Sequence, residues 1–285
     1  AGIEVIETDL IPLRASNPLW SSFWYLCCQG VANNPQAGWL PNPFGSEKVT
    51  LRSYVNLANF KANHRKTLVV DSPQGWQTLV TSMNPHDGSS LHSNVALVVT
   101  GPTAIDVLKT EQSVAQMSKG NMPMVIIGEF EAAKTEPQVQ VLTEKAIYDQ
   151  VLAAIESSQK AGVELDLSMF YLSERRIIQA LIAAHERGVK VRVLLDPNKD
   201  AFGRTKNGIP NRPVAAELHR AGIDVRWCNT QGEQCHSKML LKRSMYNSEI
   251  ILGSANFTAR NLKNYNLETN LRVVGHANAK VFTDA

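Results

Sequence analysis

A histidine, a lysine, a serine and an asparagine occur twice in this chain with one spacing. His64-x-Lys66 is followed by Ser82-x-Asn84, and His236-x-Lys238 by Ser254-x-Asn256. In each copy serine lies 18 and asparagine 20 residues after histidine, and the copies are offset by 172 residues. Composition alone would supply such a second match in roughly one chain in five hundred, so the pattern reads as an internal repeat. Two equal sets of polar groups are expected to meet in one site.

Lysine and asparagine offer hydrogen-bond donors and positive charge, which suit a phosphate whose developing charge needs stabilising. Two imidazoles divide the remaining work. One attacks phosphorus; the other protonates the leaving oxygen and later deprotonates the acceptor. The repeat has no carboxylate cluster for Mg²⁺ or Ca²⁺ and no His–Cys pattern for Zn²⁺. The expected chemistry is metal-independent phosphoryl transfer through a covalent phosphohistidine, with no cofactor.

These side chains need strands and strand-end turns to position them. Residues two apart on a strand share a face, so each His-x-Lys points one way. Each Ser-x-Asn falls in the turn after the following strand, where α/β proteins collect polar groups. The second half predicts strands at 163–170, 189–195, 223–227, 236–241, 249–252 and 267–274. Helices are predicted at 173–187 and 213–220, the first stopped by Gly188. In the first half, strands are predicted at 3–7, 67–70, 77–80 and 95–99. Nothing there matches the strand and helix at 163–187, so the first lobe is expected to lack them and the chain to be cut short. A helix over 144–159, a short strand at 125–127 and a short aromatic helix at 20–29 complete the elements. The domain boundary is drawn near 135, giving lobes of 1–135 and 136–285.

At 285 residues the chain can bury one large core or two ordinary ones, and 44% hydrophobic with 19% charged residues is a globular composition. A net charge of +3 is too mild for a dedicated nucleic-acid binder but suits anionic substrates. No stretch is long and apolar enough to span a bilayer, and Glu4, Glu7 and Asp9 interrupt any signal peptide at the start. Cys27, Cys28, Cys228 and Cys235 are read as buried or idle thiols. His86 is expected to line the site; His92, His185, His219 and His276 are read as surface or helix residues. Arg192, inside a strand, is expected to pair with a neighbouring acid.

The pattern HxKxxxxD followed by S-x-N, present twice, resembles the phospholipase D superfamily. The first copy is complete, with His64, Lys66 and Asp71 in NHRKTLVVDS. The second, HSKMLLKR, has Arg243 at the acidic position. GSANFTARN, with Asn261 and Glu268 downstream, is similar to the family's second motif. The resemblance spans about 60–275. It implies an α/β fold of two similar lobes with central mixed sheets flanked by helices, related by a pseudo-twofold and sharing one site. Carried over residue by residue, it implies catalytic roles for His64, His236, Lys66, Lys238, Asn84, Asn256 and Glu268. It implies substrate binding by Ser82, Ser254 and His86, and a structural role for Asp71. Glu268 is the acid expected to orient His236, and register places Asn94 at the first-lobe counterpart. A carboxylate on His236 alone favours it as the more basic imidazole. Two-motif relatives instead make the first-lobe histidine the nucleophile, which assigns attack to His64 and acid/base work to His236.

The favoured substrate is a phospholipid, hydrolysed or transferred to an alcohol as in cardiolipin synthesis. Trp20, Trp24, Tyr25 and Trp39, the mild charge and a likeness to bacterial cardiolipin-synthase-like proteins support it. Such an enzyme would act at a membrane surface, as a monomer, anchored by a segment outside this chain. A nuclease of the same superfamily and an inactive lipid- or partner-binding homologue remain as alternatives. The nuclease predicts a basic groove and strong salt dependence.

Overall fold

A computed structural model describes residues 3–15, 17–27, 38–41, 48–50, 59–73, 75–120, 122, 137–159, 162–201, 204–205 and 207–285. In the first half these form α1 (Pro18–Cys27), β1 (Thr67–Val70), β2 (Gln77–Thr81), β3 (Ala96–Thr100) and α2 (Pro102–Met117). The second half runs β4 (Gln138–Thr143), α3 (Lys145–Glu156), β5 (Glu164–Met169), α4 (Arg175–Glu186) and β6 (Lys190–Leu195). A small hairpin of β7 (Asp200–Ala201) and β8 (Arg204–Thr205) follows, then α5 (Asn211–Arg220) and β9 (Asp224–Trp227). The chain continues through β10 (Lys238–Arg243), β11 (Asn247–Gly253), α6 (Ala259–Leu262), β12 (Thr269–His276) and α7 (Lys280–Thr283).

The large sheet has the order β4-β12-β11-β10-β5-β6-β9. It is antiparallel from β4 to β5 and parallel from β5 to β9. The parallel part exists because α4 and α5 carry the chain back between strands, which a tight hairpin cannot do. On α4, Ile177, Ile178, Leu181 and Ala184 follow helical spacing and are fully buried against the sheet. Gly188, at φ 86°, ends that helix in a conformation that favours glycine.

The first lobe is smaller than the resemblance implied. Its sheet, β1-β2-β3, is antiparallel throughout. It packs with α2 against the edge of the large sheet. Val80, Val107 and Leu271 are buried together there, with Val139 and Val141 of β4 beside them. Leu271 is fully buried between the lobes, so Leu271→Ala should cost about 2–5 kcal/mol.

Most predicted strands and helices form within a few residues of their expected ends. Residues 3–7 do not form the predicted strand: they pair with no other strand, and Ile3 and Val5 are exposed. Helix α2 and strand β4 were not predicted. The short strand at 125–127 and the boundary near 135 lie outside the described residues. So do Cys28, Gln29 and the side chains of Trp24, Tyr25 and Cys27. Cys228 and Cys235 are not idle thiols but form a disulfide across a separation of 7 residues.

Candidate active site

Both His-x-Lys segments enter their strands from the same interface, and each is stitched to the opposite lobe. The His64 amide donates to the Leu267 carbonyl (2.9 Å), and the Leu267 amide donates back to Ala62 (3.0 Å). In the other copy, the His236 amide donates to Ser93 (2.8 Å), and the Ser93 amide to Gln234 (2.9 Å). The segment before each histidine therefore runs parallel to the one before the other lobe's orienting residue.

That crossing decides the partners. His64 Nδ1 lies 2.9 Å from Glu268 Oε2, whereas His236 Nδ1 lies 3.2 Å from Asn94 Oδ1. The expectation that Glu268 orients His236 is thus corrected: each lobe orients the other lobe's imidazole. In-chain spacing could not show this, because the pairing depends on how the lobes dock.

The two serines hold these orienting groups. Ser82 Oγ donates to Asn94 Oδ1 (3.1 Å), and Ser254 Oγ to Glu268 Oε2. Each serine oxygen also accepts a backbone N–H, from Val95 or Thr269, at 3.0 Å. Both serines are fully buried, so they are not the substrate-binding residues expected from the motif. Gly253, at φ 154°, makes the second copy feasible: a Cβ there would lie 2.4 Å from the Thr269 carbonyl oxygen. Asn261 Nδ2 donates to the second Glu268 oxygen. Glu144 takes a left-handed φ of 45° and accepts from the Glu268 amide (3.0 Å) and Arg65 Nη2 (2.9 Å).

Glu268 is fully buried. Burial alone would raise its carboxyl pKa, but His64, Ser254 and Asn261 outweigh that and hold it below the ordinary value. Glu268 therefore stays ionised, and Nδ1 of His64 is the nitrogen that donates to it. Asn94 Nδ2 donates to the Ser89 and His92 carbonyls, which turns its oxygen toward His236. His236 therefore also carries its proton on Nδ1. In both imidazoles Nε2 is left for chemistry.

His236 is buried, with Phe170 edge-on at 4.7 Å between ring centres. Burial, then Lys238, Lys66 and His64, push its pKa far below the ordinary imidazole value. Lys66 and Lys238 are buried behind the histidines, each donating at 2.6 Å to the carbonyl of its own motif histidine. Burial lowers Lys66 to about 8, with Glu268 opposing. Burial, aided by Lys66, also lowers Lys238.

A cleft of about 1440 Å³ opens over this network. His64, His236, Asn84, Asn256 and His86 line it, as expected. Asn256 Oδ1 is buried without a hydrogen-bond partner among the described residues. Neither lysine is among the residues lining the cleft. His92, read from sequence as an ordinary residue, lines it too, as do Phe60 and Arg260. Among the described residues, no group of three or more His, Cys, Asp or Glu is arranged around a metal position.

Asp71 and Arg243 lie away from the cleft. Asp71 follows the far end of β1 and is exposed, so nothing in its surroundings supports the expected structural role. Arg243 pairs with Asp166, which Arg192 also grips at 2.5 Å, as Arg192 was expected to do. The basic residue at the motif's acidic position is thereby accommodated on the sheet without touching the site.

The family described as cardiolipin synthase, PLD-like domain, matches residues 151–285. That segment, a little under half of the chain, is similar to the phospholipase D superfamily. It contains His236, Lys238, Asn256 and Glu268. The mitochondrial cardiolipin hydrolase of Homo sapiens is 30% identical over 104 residues, 36% of this chain and 36% of that protein. The match thus spans about a third of that relative's length. Phosphatidylserine synthase of Haemophilus influenzae Rd KW20 superposes with a TM-score of 0.55 at 11% identity, over 79% of this chain and 60% of that one. The likeness is one of fold. Nuc, a phospholipase D family member of Salmonella typhimurium, superposes with a TM-score of 0.39 at 26% identity, over 52% of this chain and 89% of that one.

Proposed function

We propose that this protein is a phospholipid phosphodiesterase or phosphatidyltransferase working through a phosphohistidine on His64. The observation that carries the proposal is the exchange of orienting groups: His64 with Glu268, His236 with Asn94. Attack by His64 Nε2 leaves a cationic phosphoimidazole, and the buried Glu268 carboxylate neutralises that ring. His236 has only a neutral amide behind it, so it holds a proton weakly and gives it up readily. An anionic phosphodiester in the cleft opposes the nearby cations and favours the imidazolium, ready to protonate the leaving oxygen. In the second step neutral His236 accepts the proton of water or an alcohol as that oxygen attacks phosphorus. Lys66, Lys238 and the Asn84 and Asn256 amides stabilise the charge on phosphate.

One chain supplies both histidines, which supports a monomeric enzyme. The named activities of the human and Haemophilus relatives support a lipid substrate, and we place the enzyme at a membrane surface. Among the described residues no helix is long and apolar enough to cross a membrane.

The test is incubation with phosphatidylglycerol, phosphatidylcholine and single-stranded DNA, each with and without EDTA. Turnover of a lipid in both conditions is expected. Cleavage of DNA alone would favour the nuclease, and loss of turnover with EDTA would contradict a metal-independent site. Lipid binding with no turnover of any substrate would favour an inactive homologue.

A further inference from the structure

The motif does not include the third imidazole that the fold brings to His236. His92 lines the cleft, its ring centre 6.1 Å from that of His236 at an interplanar angle of 44°. Its backbone is fixed on both sides. The His92 amide donates to the Ser89 carbonyl (3.2 Å), and its own carbonyl accepts from Asn94 Nδ2 (2.9 Å). Asn94 is the group that orients His236, so one side chain anchors the His92 backbone and the His236 ring. The His92 ring is fixed as well: the Gln234 amide donates to its Nδ1 at 3.1 Å. A nitrogen that accepts has no proton, so the neutral ring carries its hydrogen on Nε2. Burial, then His86, keep His92 neutral by lowering its pKa. His92 is therefore the tautomeric opposite of His236: a donor at Nε2 where His236 presents a lone pair.

We infer that His92 is a further catalytic residue, whose Nε2–H hydrogen-bonds the oxygen that His236 serves. This rests on the phosphodiester-transfer reading of the cleft. In the first step the ester P–O bond breaks and His236 protonates the leaving oxygen; His92 donates to the same oxygen and keeps its own proton. In the second step His92 donates to a lone pair of the acceptor hydroxyl while that hydroxyl's proton passes to His236.

The test compares His92→Phe, which removes the donor, with His92→Gln, which keeps one. Two substrates are used: vesicles of phosphatidylcholine or phosphatidylglycerol, whichever turns over, and bis(p-nitrophenyl) phosphate. Nitrophenolate leaves without help, so its kcat/KM does not depend on a donor to the leaving oxygen. For lipid, kcat/KM should fall about tenfold to hundredfold in His92→Phe and largely recover in His92→Gln. For the nitrophenyl ester it should change by less than about threefold. Equal losses on both substrates would mark a structural role and overturn the inference, as would no loss on either. An unmodified protein inactive on both substrates would instead overturn the site reading beneath it. In the unmodified protein, a long-range ¹⁵N–¹H correlation should show the Nε2–H tautomer at His92. An Nδ1–H tautomer would refute the inference without any variant.

Discussion

Replacing Lys66 by methionine separates what the site needs from what the fold needs. Lys66 is 8% exposed, and its ammonium is held at a pKa of about 8 against the ordinary 10.5. The difference, at about 1.36 kcal/mol per pH unit, is about 3 kcal/mol of unfavourable burial near neutral pH. Methionine has similar length and no charge to bury. It gives up the hydrogen bond to the His64 carbonyl, a loss of about 1 kcal/mol. Lys66→Met should therefore be more stable than its parent by about 2 kcal/mol at pH 7 while losing turnover. The pH dependence supplies a second signature. The unfolded chain keeps the Lys66 proton up to 10.5 and the folded one loses it near 8, so the unfolded state binds more protons between these values. The parent should gain stability as pH rises through that window, and the variant should lack this share of the gain. Urea unfolding of both proteins at pH 7, 8, 9 and 10 measures it. A variant less stable than its parent at pH 7, with an unchanged pH dependence, would refute the reasoning.

Three further outcomes follow from the same network. Glu268→Gln should lower kcat by about a thousandfold or more with the fold intact, because the neutral amide cannot balance the phosphoimidazole charge; activity within tenfold of the parent would contradict this. Asn94→Asp should place a carboxylate on His236 and raise its pKa, read by NMR titration of the ring; an unmoved titration would show that the Asn94 contact is not made. In the unmodified protein the depressed His236 pKa means the unfolded state takes up a proton first as pH falls below about 6.5, so stability should decline there, and His236→Phe should flatten the decline.

The repeat revealed the two histidines, both lysines, both asparagines and the α/β class, because strands and turns impose short-range spacing that a sequence displays directly. The partners of the histidines were not legible in the same way. Glu268 and Asn94 were both identified, yet assigned within their own lobes, since nothing in 172 residues of offset says which lobe reaches across. Ser82 and Ser254 looked like phosphate ligands until their burial showed them holding Asn94 and Glu268. His92 had no motif to announce it and becomes visible only beside Gln234 of the other lobe. Helix α2 did carry a signal, with Gly101 and Pro102 before Ile105, Val107 and Leu108, but that segment lies outside the repeated motif. The 3–7 segment shows the converse error: an alternating pattern makes a strand only where a neighbour pairs with it.

The proposed mechanism depends on where the phosphoryl group rests. Rapid acid quench of the enzyme with labelled phosphatidylcholine or phosphatidylglycerol, followed by mapping of the labelled peptide at alkaline pH, locates it. Label on His64, and none in a His64→Ala protein, is the predicted result. Label on His236, or turnover that survives loss of His64, would contradict the central claim.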